Sequence, residues 1–231
     1  DRRQRQMCIR DRIYNMELER MSDFFAKRID TYDEHMINNV EGCKNGYIKL
    51  AELIPDTARK LLDLGCGTGL ELGRIFQRFP DISVTGVDLS SEMLKKLREK
   101  YPDRDIILIE GSYIGRDFGF GQYDTAISFE TMHHMTHGEK VSVYEAVWNA
   151  LTPKGLYIEC DYMVLTQAEE DALYAKNARL RAKQNIPDGE FYHFDTPCTV
   201  ENQLMLLREA GFQRVDNVWR EGSTNIIVAE K

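Results

Sequence analysis

Three glycines at alternate positions, Gly65, Gly67 and Gly69, follow directly on the apolar run Leu61-Leu62-Asp63-Leu64. Glycine at that spacing suits a tight turn, because a residue without Cβ adopts unusual dihedrals and lets backbone N–H groups approach a ligand. Leu70 to Phe79 is helical in pattern, so strand, turn and helix make the first unit of a nucleotide-binding α/β domain. The dinucleotide fingerprint G-x-G-x-x-G needs glycine at position 70, where this chain has Leu70. Val84-Thr85-Gly86-Val87-Asp88-Leu89-Ser90 reads as a second buried strand ending in an acid, 19 positions after Gly69. A carboxylate there can accept hydrogen bonds from both hydroxyls of a ribose, or it can cap the next helix with Ser90 or Ser91.

A second set of chemical groups follows a later strand, in Ser128-Phe129-Glu130-Thr131-Met132-His133-His134-Met135. Glu130 and His133 can face a substrate, and a histidine suits proton transfer near neutral pH. The alternative is that at least one of the two histidines packs or caps structurally. Asp161 and Tyr162 follow the next strand and point toward the same mouth, with a cap or ion pair as the other reading of Asp161. Phe191-Tyr192-His193-Phe194-Asp195 offers aromatic walls and polar handles. With Tyr32 and His35 it can form a substrate lid, or it can simply pack a loop onto the core. His134 and His137 are three apart, yet no further ligand stands at a matching spacing, so no metal is expected.

The elements that must position these groups alternate. Met21 to Asn39 has the spacing of one or two amphipathic helices, and a further helix over about 46–54 stops at Pro55. Then come a strand at 61–64, a helix at 70–79, a strand at 82–87, a helix at 91–101, and strands at 105–110 and 123–129. Thr136 with Glu139 forms a capping box for a helix running to Leu151, and 156–160 is the fifth strand. Such alternation requires a parallel sheet with helices on both faces and ligands at the carboxyl ends of its strands. Thr166 to Gln184 reads as a long polar helix behind a second capping box, 186–197 as irregular, and 200–210 as a helix. Two final strands, 212–219 and 224–230, are joined by Arg220-Glu221-Gly222-Ser223, a hairpin signal.

On the run LDLGCGTG, Asp88 and the closing hairpin, the chain resembles the class I S-adenosylmethionine-dependent methyltransferases. The resemblance covers about 60–231 and implies a three-layer Rossmann-like fold: a mainly parallel seven-stranded sheet with an antiparallel carboxyl-terminal hairpin. It implies an amino-terminal helical cover at 16–56 and a methyltransferase domain at 57–231 with a helical lid insertion near 164–198. S-adenosylmethionine is the implied cofactor and S-adenosylhomocysteine the product. The implied contacts are Asp63, Gly65, Cys66, Gly67, Thr68, Gly69, Asp88, Leu89, Met93, Gly111, Ser112, Tyr113, and the backbone of Ser128 and Phe129. Asp63 is placed near the methionine end. His133, Glu130 and Asp161 are the catalytic candidates; Tyr32, His35, His134, Tyr162, Tyr192 and His193 are the substrate-side ones. Leu151-Thr152-Pro153-Lys154-Gly155 is similar to a turn that precedes the fifth strand in many relatives, with Lys154 in place of a glycine.

Composition narrows the class. A chain of 231 residues with 42% hydrophobic and 29% charged residues fits one α/β domain. No apolar run reaches the length of a membrane span. Five scattered cysteines, Cys8, Cys43, Cys66, Cys160 and Cys198, form no C-x-x-C pair, which suits reduced thiols and a cytoplasmic setting. The first dozen residues hold five arginines and two aspartates; without them the chain has 25 Lys and Arg against 36 Asp and Glu, a formal charge of −11. Residues 1–15 therefore read as a disordered or non-native leader. An acidic body argues against extended binding to nucleic acid phosphates. The expected function is methyl transfer to a small-molecule acceptor. A tRNA substrate stays open, given some similarity to wobble-uridine modification proteins, as does a non-catalytic cofactor-binding role. An NAD-dependent oxidoreductase is disfavoured by Leu70 and the hairpin.

Overall fold

A computed structural model describes residues 17–231, and the leader expected at 1–15 lies outside them. Ahead of the sheet come helices α1 (Met21–Ala26), α2 (Tyr32–Asn38) and α3 (Cys43–Leu53). Strands β1 (Lys60–Leu64), β2 (Ser83–Asp88) and β3 (Ile106–Glu110) then alternate with α4 (Leu72–Arg78) and α5 (Ser91–Lys100). They are followed by β4 (Tyr123–Phe129), a short 3₁₀ turn (Met132–His134), α6 (His137–Ala150) and β5 (Leu151–Tyr162). The chain closes with α7 (Gln167–Lys183), α8 (Val200–Glu209), β6 (Arg214–Glu221) and β7 (Thr224–Glu230).

These strands form a seven-stranded sheet in the order β3-β2-β1-β4-β5-β7-β6. The first five are parallel, and β7 pairs antiparallel with both β5 and β6. Chain order reverses between β1 and β4, so a cleft opens at the carboxyl ends of those two strands. Successive side chains of a strand point to opposite faces, and two cores result. Leu61, Ile127, Ile158 and Ile226 face α3, α4 and α5, while Leu62, Ala126, Tyr157 and Ile227 face α6 and α8. This is the predicted three-layer α/β architecture.

Both predicted capping boxes are present, Thr136 with Glu139 and Thr166 with Glu169. The predicted turn at 151–155 is instead part of β5. Leu151 pairs with Tyr123 and Leu156 with Thr125, so the extra residues bulge out of the ladder. Lys154 takes the positive φ of 66° that the bulge requires. Helix α3 begins three residues before the expected Gly46, and β5 runs on through Asp161 and Tyr162 because β7 pairs with it to its end. A buried network joins α6, β5 and α8: Glu159 accepts hydrogen bonds from Tyr144 (2.7 Å), Tyr157 (3.0 Å) and Gln203 (2.5 Å). Among the described residues no helix is long and apolar enough to cross a membrane.

A Cβ at Gly155 would lie 2.9 Å from the Thr152 carbonyl oxygen and 3.1 Å from that of Asp124, both backbone atoms of the bulge. Gly155→Ala is expected to destabilise the fold by about 1–3 kcal/mol in urea unfolding. An unchanged midpoint would show that the bulge can spread.

Candidate functional site

Strand β1 delivers the chain into a loop in which Gly65, Gly67 and Gly69 all have positive φ, 69°, 46° and 71°. The loop is held to β2: the N–H groups of Gly65 and Cys66 donate to the Val87 carbonyl at 2.8 and 3.1 Å. The Asp88 carboxylate accepts from Gly67 N–H at 2.9 Å and from Ser90 N–H at 2.8 Å. Of the two readings of Asp88 the structure shows the cap, on the turn into α5, with the carboxylate facing the glycine loop. Burial raises its pKa against the effect of those backbone donors.

Beneath the loop, Asp63 and Glu71 form a buried carboxyl pair. Asp63 Oδ2 and Glu71 Oε1 have no hydrogen-bond partner. Burial, with the Glu71 charge added, pushes Asp63 well up, and burial raises Glu71 to about 7. Two orphaned carboxyl oxygens beside a glycine cradle suit an ammonium group, and Asp88 suits a ribose. The donor set thus fits S-adenosylmethionine, and the resemblance places Asp63 toward its methionine end. Glu71 was not anticipated, because a glutamate early in a helix usually serves as an exposed first-turn acid.

The other expected contacts divide. Cys66 is buried and a Cβ on Gly86 would meet its sulfur at 2.8 Å, so the thiol packs between β1 and β2. Ser128 bonds to Tyr157 at 2.7 Å, and Phe129 stacks on Tyr47 with centroids 3.9 Å apart, which leaves only their backbones for a ligand. Tyr113 is buried and its hydroxyl lies 2.6 Å from Thr131 Oγ1, and Ser112 Oγ accepts from Ile114 N–H, so Gly111 begins a closed turn. Met93 is buried in α5, and Leu89 is half-buried beside Asp88.

Helices α1 and α2 lie over the loop. Asp33 accepts from Thr68 Oγ1 at 2.5 Å and pairs with Lys100 at 2.6 Å, while Lys96 donates to the Ile29 carbonyl at 2.7 Å. Tyr32 comes within 3.9 Å of where a Cβ on Gly67 would stand. On the far side of Tyr32 is a cavity of about 680 Å³ lined by Phe24, Phe25, His35, Met36, Glu130, His133, His134, Tyr162, His193 and Asp195, among others. Tyr32, His35, His134, Tyr162 and His193 thus meet as the sequence suggests. Tyr192 does not; it bridges to Arg20, whose guanidinium lies 5.7 Å from the ring centroid.

His133 Nδ1 lies 2.5 Å from Asp161 Oδ1 and 3.7 Å from Glu130 Oε2. Burial disfavours the imidazolium, but the Asp161 charge and hydrogen bond, with Asp195 and Glu130, outweigh it and raise His133 to about 9. Burial raises Glu130 to about 8 despite the attraction of His133. Glu130 has φ 48°, a conformation uncommon for its residue type and associated with functional sites. Burial lowers His134, and takes His193 down to about 4. The surrounding imidazoles overcome burial and hold Asp195 well below the usual carboxylate range. Asp195 was legible only as a polar handle of its segment, and Arg28, which also lines the cavity, carried no spacing signal, for each is brought in by a segment folded over from elsewhere.

A family profile described as a methyltransferase domain matches residues 61–155. The chain is 23% identical over 245 residues to the carboxy-S-adenosyl-L-methionine synthase of Campylobacter jejuni, covering 96% of this chain and 100% of that protein. Among solved structures it is similar to an O-methyltransferase family protein from Burkholderia thailandensis, with a TM-score of 0.68, 15% identity, and 96% of this chain and 66% of that one covered. It is also similar to human N-acetylserotonin methyltransferase in complex with SAM, with a TM-score of 0.60, 19% identity, and 82% and 52% covered. The chain therefore spans about half to two thirds of those two solved proteins, and the likeness to them is one of fold.

The carboxyl pair has a pH signature. Glu71 is raised above its unfolded value, so its contribution is fully present below about pH 4.5 and lost as pH rises toward 7. Glu71→Gln is expected to stabilise the ligand-free protein at pH 8 by about 1–3 kcal/mol, with the gain shrinking toward pH 4.5, in thermal or urea unfolding. A pH-independent difference would reject the buried acid.

Proposed function

We propose that the chain is a class I S-adenosylmethionine-dependent methyltransferase and that it methylates an oxygen or other neutral nucleophile of a small molecule held in the cavity beyond Tyr32. The observation that carries this reading is the lining of that cavity. Phe24, Phe25, Met36 and Tyr162 give it apolar walls, while Glu34, Glu41 and Asp195 outnumber its cations, Arg28 and the raised His133, with Glu130 raised toward neutrality. Arg28, the one lysine or arginine in the lining, is already paired with Glu19 at 3.0 Å. Such a pocket favours an aromatic or apolar acceptor that is uncharged or cationic, and it disfavours the phosphates of a nucleic acid.

When bound, S-adenosylmethionine supplies an electrophilic methyl group on a sulfonium. The chain's own residues bind, orient and deprotonate. Asp88 takes the ribose, and Asp63 with Glu71 takes the ammonium end. Phe25 and Tyr32 exclude water between the glycine loop and the cavity. Asp161 fixes the His133 ring by its Nδ1, so that the opposite nitrogen, Nε2, faces Asp195 and the cavity. Glu130, buried and on the cavity wall, accepts the acceptor's proton as the new bond forms.

A second reading, formation of a carboxylated S-adenosylmethionine, takes its support from the full-length similarity to a protein of that name. The new carboxylate would then lie among Glu34, Glu41 and Asp195, where Arg28 is paired with Glu19 and His133 with Asp161, so the pocket's charge favours methyl transfer. Mass spectrometry of the sulfonium product separates the two.

Asp88→Ala is expected to weaken S-adenosylmethionine binding about 10- to 100-fold in calorimetry, by loss of about 1–3 kcal/mol of charge-assisted hydrogen bonding. Unchanged affinity would reject the ribose role. Glu130→Gln should lower turnover about 100-fold or more with cofactor affinity kept; equal turnover would return Glu130 to a structural part.

A further inference from the structure

Asp195 Oδ1 is approached by three imidazole nitrogens at once: His134 Nδ1 at 3.4 Å, His133 Nε2 at 3.8 Å and His193 Nε2 at 3.8 Å. These separations are long for hydrogen bonds, whose N···O distances run to about 3.2 Å. They are close to the spacing of ligands on one ion, since atoms about 2.0–2.1 Å from a tetrahedral Zn2+ stand about 3.3–3.4 Å apart. One ligand atom each from His133, His134 and Asp195 already lies within 4.8 Å of the others. His134 Nδ1 gives an independent indication, being buried, aimed at this point and without a hydrogen-bond partner.

We propose that His133, His134 and Asp195 form a binding site for a divalent transition-metal ion on the wall of the acceptor cavity, which His193, 3.8 Å from Asp195 but outside that cluster of three, completes when the ion draws it in. Three imidazoles and a carboxylate suit Zn2+ or its neighbours in the first row and do not suit Mg2+ or Ca2+. The surroundings supply what such sites need beyond their ligands. Asp161 holds Nδ1 of His133 and leaves Nε2 for the ion, the carboxylate–histidine–metal relay that orients a ligand ring. Phe24 stacks on His193 at 3.4 Å with a 6° interplanar angle, and Phe25 sets its edge against His134 and His193. The ion would face the cavity; its use there to hold the acceptor's oxygen rests on the methyl-transfer reading above, whereas the site itself does not.

Two other clusters are weaker. His137, Glu170 and Cys198 also converge, but Lys140 Nζ already sits 3.0 Å from Cys198 Sγ, and Glu170 accepts from Thr199 N–H and Asn202 Nδ2. A cation is thus in place and the carboxylate is engaged. In the Glu130–His133–Asp161 group, Nδ1 of His133 is taken by Asp161.

The test is calorimetric titration of the chelator-treated full chain with Zn2+ alone, with thermal melts showing that each variant folds. One ion per chain is expected, with affinity reduced at least tenfold in His134→Ala and in Asp195→Asn, about 10- to 100-fold in Asp161→Asn, and unchanged in His137→Ala. His193→Ala, a quarter exposed in its side chain, repeats the test if His134→Ala fails to fold. Absence of binding, binding that survives Asp195→Asn, or binding lost in His137→Ala would overturn the proposal. S-adenosylmethionine titrated into the same samples keeps the two readings apart: Zn2+ binding without cofactor binding would sink the methyl-transfer reading and leave the ion site standing.

Discussion

The hydrogen bond from Gly67 N–H to the Asp88 carboxylate, 2.9 Å long, ties the loop after β1 to the end of β2, beside the point between β1 and β4 where chain order reverses. The N–H groups of Gly65 and Cys66 reinforce it by donating to the Val87 carbonyl. A loop held this way cannot drift, and it becomes a platform. Thr68 on that loop receives Asp33 from α2, Gly65 packs against Thr131 at the end of β4, and Gly69 packs against Leu97 and Tyr101 near the end of α5. The cofactor side of the molecule therefore follows from a few backbone donors and one carboxylate.

The cavity side is built on a different principle. Its groups come from five separated stretches of chain: the amino-terminal helices, the turn after β4, the end of β5, the segment before α8 and the β6–β7 hairpin. Main-chain bonds stitch these together. Met21 N–H donates to the Phe191 carbonyl, His193 N–H to that of Glu19, and Thr196 N–H to that of His133. Buried charge is the cost of the arrangement: Glu130, His133 and Asp161 lie together in a low-dielectric wall, with the half-exposed Asp195 beside them, and each is tolerable only because the others are near. Such clusters of perturbed groups are more common at reaction sites than in structural cores.

Acidic residues recur at every level. They give the body its negative charge, line the cavity, and pair beneath the glycine loop. A positively charged cofactor, carrying a sulfonium and an ammonium, gains from all three, while an anionic acceptor does not. The relative named for a carboxylated cofactor is matched over its full length, at 23% identity.

Local pattern determined a good deal. Strand, glycine turn and helix follow from dihedral and periodicity requirements that neighbouring residues satisfy alone, so the loop at 65–69, Asp88, the capping boxes and the closing hairpin were legible in the chain. The resemblance they carry placed Tyr32, His35, His134, Tyr162 and His193 on one side of the molecule. Tertiary structure alone decided the rest. Glu71 turns inward because β1 and α4 pack with Asp63 between them, Tyr192 turns away because Arg20 pairs with its backbone, and the 151–155 stretch extends a strand because Tyr123 is there to pair with it. The convergence of Asp195 on three histidines has no sequence period, since residues 133 and 134 meet 193 and 195 only through a segment folded back over the sheet. Spacing along a chain reports which residues share an element; which elements share a point in space depends on packing between distant parts of the chain.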